Sequence, residues 1–470
     1  MELRSNFEPG TTRWAVRRTQ WKSMGIADAD MEKPKIAVIN TSNKLSSCFI
    51  HVDKISQAVQ NAIKAAGGVP FEVRTVASSD FVTSAGKKAR YLMPTRDLIV
   101  NEVECMVEGA VLDGIVFLSS CDKTTPAHCM AAARLDVPSI VLTCGYQLGG
   151  QCMAGEFVDI DDVYEAIGAV ACGSKTFEEL VDMTNHAIAT EAEIKMDVVK
   201  TYEKFADTIH LLTAVRPNGP FRTEDLEAAG GCRAVMKRLE GYLHLDAMTV
   251  SGKTVGENIK DAKVLRDEVI KPMEAPQSTR PGVGILRGNL CPNGAIVKLS
   301  AVPDGIPSFT GKAVIFDGED EAIKVGLGQG KIKPGDVIVL RNMGPKGGPG
   351  TVFACSFVAA LNGANLASQV AVVTDGELSG LNRGIIVGQV MPEAAMGGPL
   401  AVIKEGEIIK LDFVERTVNV DIPQEELDAR LARWEPLKRE LAPGYLAQYH
   451  ELVQPIEQGA VLGYRSFRDR

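Results

Sequence analysis

Between residues 35 and 143, short apolar runs alternate with longer stretches of helical periodicity, and few folds admit that alternation. Lys35-Ile36-Ala37-Val38-Ile39-Asn40 reads as a buried strand that ends in a polar turn. Residues 55–66 follow as an amphipathic helix closed by Gly67-Gly68. The spacing then predicts a strand over 71–76, a helix over 97–109, a strand over 115–120, a helix over 128–134 and a strand over 139–143. Apolar strands separated by helices belong to a parallel α/β sheet covered on its faces. In such sheets ligands bind beyond the carboxyl ends of the strands. Asn40, Cys121 and Cys144 all fall at or near such ends.

Residues 163–256 read as mainly helical, with one odd join. Leu180-Val181-Asp182-Met183 runs into Thr184-Asn185-His186-Ala187 with neither turn chemistry nor a continuing period. After Met273 the composition changes. Residues 274–282 form a linker rich in turn residues, and beyond it come short strands at 283–286, 313–316, 336–340, 370–374 and 408–411. Glycine and proline turns separate many of them, as in a β-barrel or sandwich. A charged helical stretch follows at 425–441. The fold class expected is α/β: an N-terminal parallel-sheet α/β domain over 1–275 and a C-terminal β-barrel-like domain over 276–470.

Composition narrows the function. The chain has 470 residues, a net charge of −9 and a pI near 5.4. Phosphate backbones are held by basic faces, so no nucleic-acid partner is expected. The apolar runs are too short to span a bilayer, so no membrane partner is expected. The polar N-terminus lacks a basic region followed by an apolar one, which points to the cytoplasm. The ten cysteines show no disulfide-framework spacing and no CxxC pair. They read as reduced thiols, cluster ligands or core residues.

Four segments carry chemistry. Ser120-Cys121-Asp122-Lys123-Thr124-Thr125-Pro126 sits between a strand and a helix. A thiolate is a soft ligand suited to iron or zinc, and a carboxylate a hard one suited to magnesium or manganese. Ser46-Ser47-Cys48-Phe49-Ile50-His51 lies just after the first strand, so a parallel sheet turns it to the same edge as Cys121; Cys48 is equally readable as a core thiol. Thr374-Asp375-Gly376-Glu377-Leu378-Ser379-Gly380 also follows a strand. Ser379 has no His/Asp partner at a hydrolase spacing, so as a base it would need help from a metal or cation. Gly344-Pro345-Lys346-Gly347-Gly348-Pro349-Gly350 is a turn that could cradle an anion without matching a nucleotide loop. The six histidines form no paired cluster.

Together these segments resemble the family of dihydroxy-acid and sugar-acid dehydratases, which includes 6-phosphogluconate, xylonate and arabinonate dehydratases. The likeness also runs through Arg4-Ser5-Asn6-Phe7, Met130-Ala131-Ala132-Ala133-Arg134-Leu135, Leu286-Arg287-Gly288-Asn289-Leu290, Arg341-Asn342-Met343 and Pro392-Glu393-Ala394-Ala395-Met396-Gly397-Gly398-Pro399-Leu400. The resemblance implies a [2Fe–2S] cluster, [4Fe–4S] in some members, held by three cysteines of which Cys48 and Cys121 match two. It implies Mg²⁺ or Mn²⁺ on Asp122 and on Lys123, which is carbamylated in many members. It assigns Ser379 as the base that takes the C2 proton of a small hydroxy acid. Homodimers or homotetramers are usual.

This sequence departs from the family pattern at four places. The segment that carries the third cysteine is missing between Met183 and Ala187, and the join is expected to mark a mobile loop absent from the recorded chain, with deletion as the alternative. Lys87 and Phe353 occupy positions where metal-binding glutamates are usual, and Glu377 replaces a basic residue. The reading that follows is a hydro-lyase acting on a sugar acid or related 2,3-dihydroxy acid, with an aldonate favoured. A non-catalytic binding or regulatory relative, and an isomerase using the same enolisation, are the competing readings.

Overall fold

The computed structural model describes residues 3–79, 82–83, 90–144, 150–151, 157–158, 198–206, 208–215, 219–303, 305–348, 357–358, 360–361, 364–377, 384–436, 441 and 443–463. The chain divides into two compact units, Met1–Tyr146 with Ile188–Ile194, and Gln147–Ala187 with Lys195–Arg470.

The first unit is built on four parallel strands, β1 (Lys35–Asn40), β2 (Val69–Arg74), β3 (Gly114–Ser119) and β4 (Ser139–Thr143), in the order β2-β1-β3-β4. Ala37, Val38 and Ile39 of the inner strand β1 are fully buried. Helices α1 (Thr12–Ser23), α2 (Val52–Ala65), α3 (Leu92–Ala110) and α4 (Thr124–Leu135) complete the unit among the described residues. Both α3 and α4 begin several residues before the apolar period suggests. Each has a proline in its first turn, Pro94 and Pro126. Proline is tolerated there because the first-turn N–H groups have no partner within the helix. Strand β2 begins two residues earlier than the sequence suggests, because its register is set by pairing with β1 from Lys35–Val69 to Asn40–Arg74. Pro70 is admissible because β2 is an edge strand.

The N-terminal segment is tied to the amino edge of this sheet. Lys35 is buried, and its ammonium donates to Asn6 Oδ1 at 2.6 Å and to the Met31 carbonyl. Asp113 accepts from the Ser5 N–H, the Ser5 hydroxyl and the Lys35 N–H at 2.9, 2.6 and 2.7 Å. The Arg17 guanidinium packs over the rings of Phe7 and Trp21 and donates to the Ser5 and Ala110 carbonyls. The Arg4-Ser5-Asn6-Phe7 block thus acts structurally, satisfying a buried lysine and a strand-end carboxylate.

The second unit is a closed eight-stranded barrel with strand order β10-β11-β12-β8-β7-β14-β13-β9. It follows a short hairpin of β5 (Gly150–Gln151) and β6 (Phe157–Val158). Its strands are β7 (Gly284–Gly288), β8 (Cys291–Val297), β9 (Ser308–Phe316), β10 (Val337–Leu340), β11 (Ala371–Thr374), β12 (Ile385–Met391), β13 (Ile408–Asp412) and β14 (Thr417–Val420). Strands β9 to β12 run parallel to one another, and their buried valines and isoleucines fill the core.

The sequence reading omits β8, β12 and β14. Pro292-Asn293-Gly294 in β8 imitates a turn, yet the strand absorbs it at a break in its register with β7. In β12 the pair Gly388-Gln389 interrupts the apolar run at a bulge, with Gln389 in the left-handed region. Within 198–256 the described helices are short, Val198–Ala206, Thr223–Ala228, Gly231–Arg238 and Val255–Ile259, with turns and isolated bridges such as Thr213–Ile270 among them. "Mainly helical" overstates that stretch, while the join at 183–187 lies outside the described residues. The helix expected over 425–441 is Gln424–Leu431, and a separate helix follows at Tyr445–Leu452; Pro436 disfavours the helical conformation just before it, so the first does not run on toward 441. Among the described residues no helix is long and apolar enough to cross a membrane.

Ile39 is fully buried in an inner strand, so truncation leaves a cavity the sheet cannot close. Ile39→Ala is expected to destabilise the first unit by about 2–5 kcal/mol, measured by urea denaturation against the parent chain.

Candidate active site

The carboxyl edge of the parallel sheet brings Cys48 and Cys121 together. Asn40 ends β1 in a turn, with its side-chain oxygen accepting from the Ser42 N–H and its amide donating to Asp53 and Glu72. Thr41 donates to the Leu118 carbonyl and so joins the ends of β1 and β3. The Ser120 hydroxyl donates to the Cys48 carbonyl at 2.7 Å, which pins the two cysteine-bearing loops to each other. The thiols of Cys48 and Cys121 are within hydrogen-bonding reach. That contact, helped by the Ser46 hydroxyl, lowers the Cys48 pKa to about 6 against the opposing effect of burial. Both side chains are partly exposed.

Cys121 has φ of +70°, a left-handed conformation that costs a non-glycine residue roughly 1–2 kcal/mol. Strain of this kind persists where surrounding contacts fix it. A chain of hydrogen bonds runs behind the turn. Thr125 Oγ1 lies 3.4 Å from the Cys121 carbonyl, which can only accept, and Ser119 Oγ lies 3.0 Å from Thr125 Oγ1. With Ser119 donating to Thr125, and Thr125 to Cys121, the Ser119 oxygen accepts from Nδ1 of the fully buried His128 at 3.1 Å. Burial lowers the His128 pKa to about 3, so the ring is neutral.

Asp122 and Lys123 follow the strained cysteine directly. The Lys123 ammonium is almost wholly buried and lies 3.4 Å from the Asp122 carboxylate, which is partly exposed. Cys144, at the end of β4, belongs instead to the apolar cluster around Val38, Val52 and Leu118, and burial pushes its thiol up to about 11. Its carbonyl accepts from His51 Nε2 at 2.6 Å. Two adjacent soft thiols, one of them acidified, fit two neighbouring positions on an iron–sulfur cluster. Among the described residues no group of three or more His, Cys, Asp or Glu side chains forms a ready metal cage.

The barrel presents its own rim, where parallel β10, β11 and β12 end. Asp375, fully buried after β11, accepts from the N–H groups of Asn342, Met343 and Ala394 at 3.1, 2.8 and 2.9 Å. Glu393, fully buried after β12, accepts from those of Lys346 and Gly347 at 3.1 and 3.2 Å. A side chain at Gly344 would collide with the Glu393 carboxyl, so only glycine lets this turn come so close. Glu377 is also buried. Ser379, Lys87 and Phe353 lie outside the described residues.

Sequence reasoning gave no role to His128 or Glu393. A lone carboxyl set in Met391-Pro392-Glu393-Ala394-Ala395-Met396 is the available signal for Glu393, because an acid among apolar neighbours marks a buried group. His128 offered none beyond its place in the first turns of a helix.

A parallel α/β unit and a closed barrel in one chain, with paired thiols beside an Asp-Lys pair, fit a lyase. The sequence matches the Dihydroxy-acid/6-phosphogluconate dehydratase N-terminal family over 33–187 and 184–258, and its C-terminal counterpart over 268–460. It is 37% identical to the dihydroxy-acid dehydratase of Pyrococcus furiosus, covering 95% of this chain and 98% of that protein. The dihydroxy-acid dehydratase of Methanosarcina barkeri is 34% identical, over 95% and 98% of the two chains, and that of Ruminiclostridium cellulolyticum 33% identical, over 98% and 100%. The chain belongs to the dihydroxy-acid/6-phosphogluconate dehydratase family. It is a dehydratase, a hydro-lyase that removes water across a carbon–carbon bond.

The N-terminal match comes in two pieces that meet at 184–187, at the abrupt join. The 470-residue sequence is continuous there.

His128 is neutral when folded and free to take a proton when unfolded. Its contribution is full above the ordinary histidine pKa of about 6.5 and is lost as pH falls toward 3. The loss should approach about 1.4 kcal/mol per pH unit below 6. His128→Gln is expected to flatten that acid slope relative to the parent in urea titrations at pH 7, 6 and 5; parallel slopes would contradict a buried neutral ring.

Proposed function

We propose that the chain dehydrates an unphosphorylated 2,3-dihydroxy acid of the aldonate type to a 2-keto-3-deoxy acid, with an iron–sulfur cluster and a divalent metal. The observation that carries this reading is the contact between the Cys48 and Cys121 thiols beside Asp122 and Lys123. Cys48 and Cys121 would hold the cluster, [2Fe–2S] or [4Fe–4S], and Asp122 with a carbamylated Lys123 would hold Mg²⁺ or Mn²⁺. When bound, these groups supply Lewis acidity for departure of the C3 hydroxyl. Ser379 would take the C2 proton, and the enol left after water departs would tautomerise to the keto acid.

The preference for an unphosphorylated substrate rests on charge. Glu377, two residues before Ser379, is buried, as is Asp375. A phosphate dianion placed against this acidic turn would be repelled at low dielectric. The names of the relatives support a 2,3-dihydroxy acid, and the departures at Lys87, Phe353 and Glu377 favour an aldonate over the usual member. The reading extends to a homodimer or homotetramer in the cytoplasm, with the small hydroxy acid as its partner and neither nucleic acid nor membrane.

The test is a screen of aldonates and branched 2,3-dihydroxy acids, with and without Mg²⁺ or Mn²⁺, read as 2-keto acid formed by anaerobically purified protein. An aldonate is expected to give the highest kcat/KM; turnover confined to phosphorylated acids would overturn the assignment. Cys121→Ser should abolish the iron–sulfur absorbance together with activity, because a hydroxyl is a poor ligand for cluster iron; normal iron content would remove Cys121 from the cluster. Ser379→Ala should keep the iron and lower turnover by roughly 100-fold, the scale of a lost general base, with exchange of the C2 hydrogen into deuterated solvent falling in parallel.

A further inference from the structure

Three loops meet at the barrel rim, and two carboxyl groups hold them. The first loop follows β10 and runs through Asn342, Met343, Gly344, Lys346 and Gly347. The second begins at Asp375 after β11. The third contains Glu393 and Ala394 after β12. Asp375 binds the first loop at Asn342 and Met343 and the third at Ala394, and both of its oxygens accept. Glu393 binds the first loop at Lys346 and Gly347, through Oε2 alone. Its other oxygen, Oε1, is buried with no hydrogen-bond partner among the described residues.

The two sites differ in what they can stabilise. Asp375 is surrounded by three N–H donors, which favour an ionised acceptor. Glu393 has two donors on one oxygen and none on the other, and the Asp375 charge opposes a second one nearby. Two carboxylates sharing a desolvated site do not both ionise at neutral pH. The remaining groups that bear on Glu393 are Glu457, which also opposes its ionisation, and the Lys346 side chain. The Lys346 ammonium is turned toward the His450 carbonyl at 3.2 Å.

We propose that Asp375 and Glu393 form a single-proton clamp, an ionised Asp375 with a protonated Glu393, that positions the three rim loops and with them the segment leading to Ser379. Glu393 is a positioning residue, since its bonds go to backbone N–H groups and not to a reacting atom. The catalytic consequence rests on the Ser379 reading; the protonation state does not. Burial first, and the Asp375 charge second, raise the Glu393 carboxyl to about 8, in keeping with the bonding pattern. Burial also pushes Asp375 upward, with its three N–H bonds opposing the shift. A carboxyl whose folded pKa is raised gives stability that is full below the ordinary value of about 4.5 and lost as pH rises through 8.

The experiment compares the full chain with Glu393→Gln, Glu393→Ala and Asp375→Asn. Glutamine has the shape and neutrality of the protonated acid, so Glu393→Gln should lose the drop in melting temperature that the parent shows between about pH 5 and 8. The parent should carry an infrared carbonyl band of a protonated carboxylic acid that disappears above about pH 8 and is missing from Glu393→Gln at every pH. Asp375→Asn, which turns an amide N–H₂ against N–H donors, should lower the melting temperature at every pH. Turnover should fall at least tenfold in Glu393→Ala, and Glu393→Gln should recover most of that loss and hold it above pH 8. An unchanged acid band in Glu393→Gln, or the same drop in melting temperature between about pH 5 and 8 as the parent, overturns the clamp. Loss of the band without any effect on turnover leaves the clamp standing and removes the Ser379 segment from the catalytic reading.

Discussion

Strands that run the same way must return through a crossover, so their carboxyl ends gather on one edge, and both candidate sites in this protein follow from that pairing. In the first unit that edge collects Asn40, Cys48, Ser120 and Cys121 from loops far apart in sequence. In the barrel the parallel run β9 to β12 does the same for Asp317, Arg341, Asp375 and Glu393. Arg341 donates to the Asp317 carboxylate at 2.7 Å, so even the outer part of that rim is cross-tied between successive strand ends. Strands β7, β8, β13 and β14, antiparallel to one another except where β14 pairs with β7, close the barrel and serve to hold the parallel run in register.

A second regularity is that buried polar groups are spent on holding backbone. Lys35 and Asp113 fasten the N-terminal segment to the sheet, and His128, Ser119 and Thr125 brace the strained Cys121. Asp375 and Glu393 hold the loops of the barrel rim. A buried polar atom left without a partner costs on the order of 1–3 kcal/mol. Each such residue therefore specifies one loop conformation by penalising the others. This is how short glycine-rich turns, flexible as isolated peptides, come to hold a fixed shape. The cost of desolvating these groups is offset by the precision it gives the two edges.

The parts legible in the sequence were those governed by local periodicity. The runs at Lys35–Asn40 and Ser139–Thr143 predicted their strands to the residue, because an apolar stretch flanked at both ends by polar residues leaves little choice of limits. Helix starts failed where Pro94 and Pro126 looked like breaks, since a proline's meaning depends on which turn it occupies. Strands β8 and β12 failed because a bulge lets a strand carry Pro292, Gly294 or Gln389, and a bulge is stabilised by its partner strand, which local sequence does not name. Cys48 and Cys121 could be singled out by residue type and position after strands, but 72 residues separate the Ser120 hydroxyl from the Cys48 carbonyl it holds.

Sequence alone specified the kinds of element, the edge on which chemistry could gather and, through ordered motifs along most of its length, the family. Packing in three dimensions settled which of the cysteines is a paired, acidified thiol and which, like Cys144, is a core residue. It also settled that Glu393 is a buried acid facing backbone and that His128 is a neutral brace behind the thiols. Those outcomes depend on desolvation and on contacts between distant segments. Both are properties of the space around a side chain, and a linear pattern records the side chain without its surroundings.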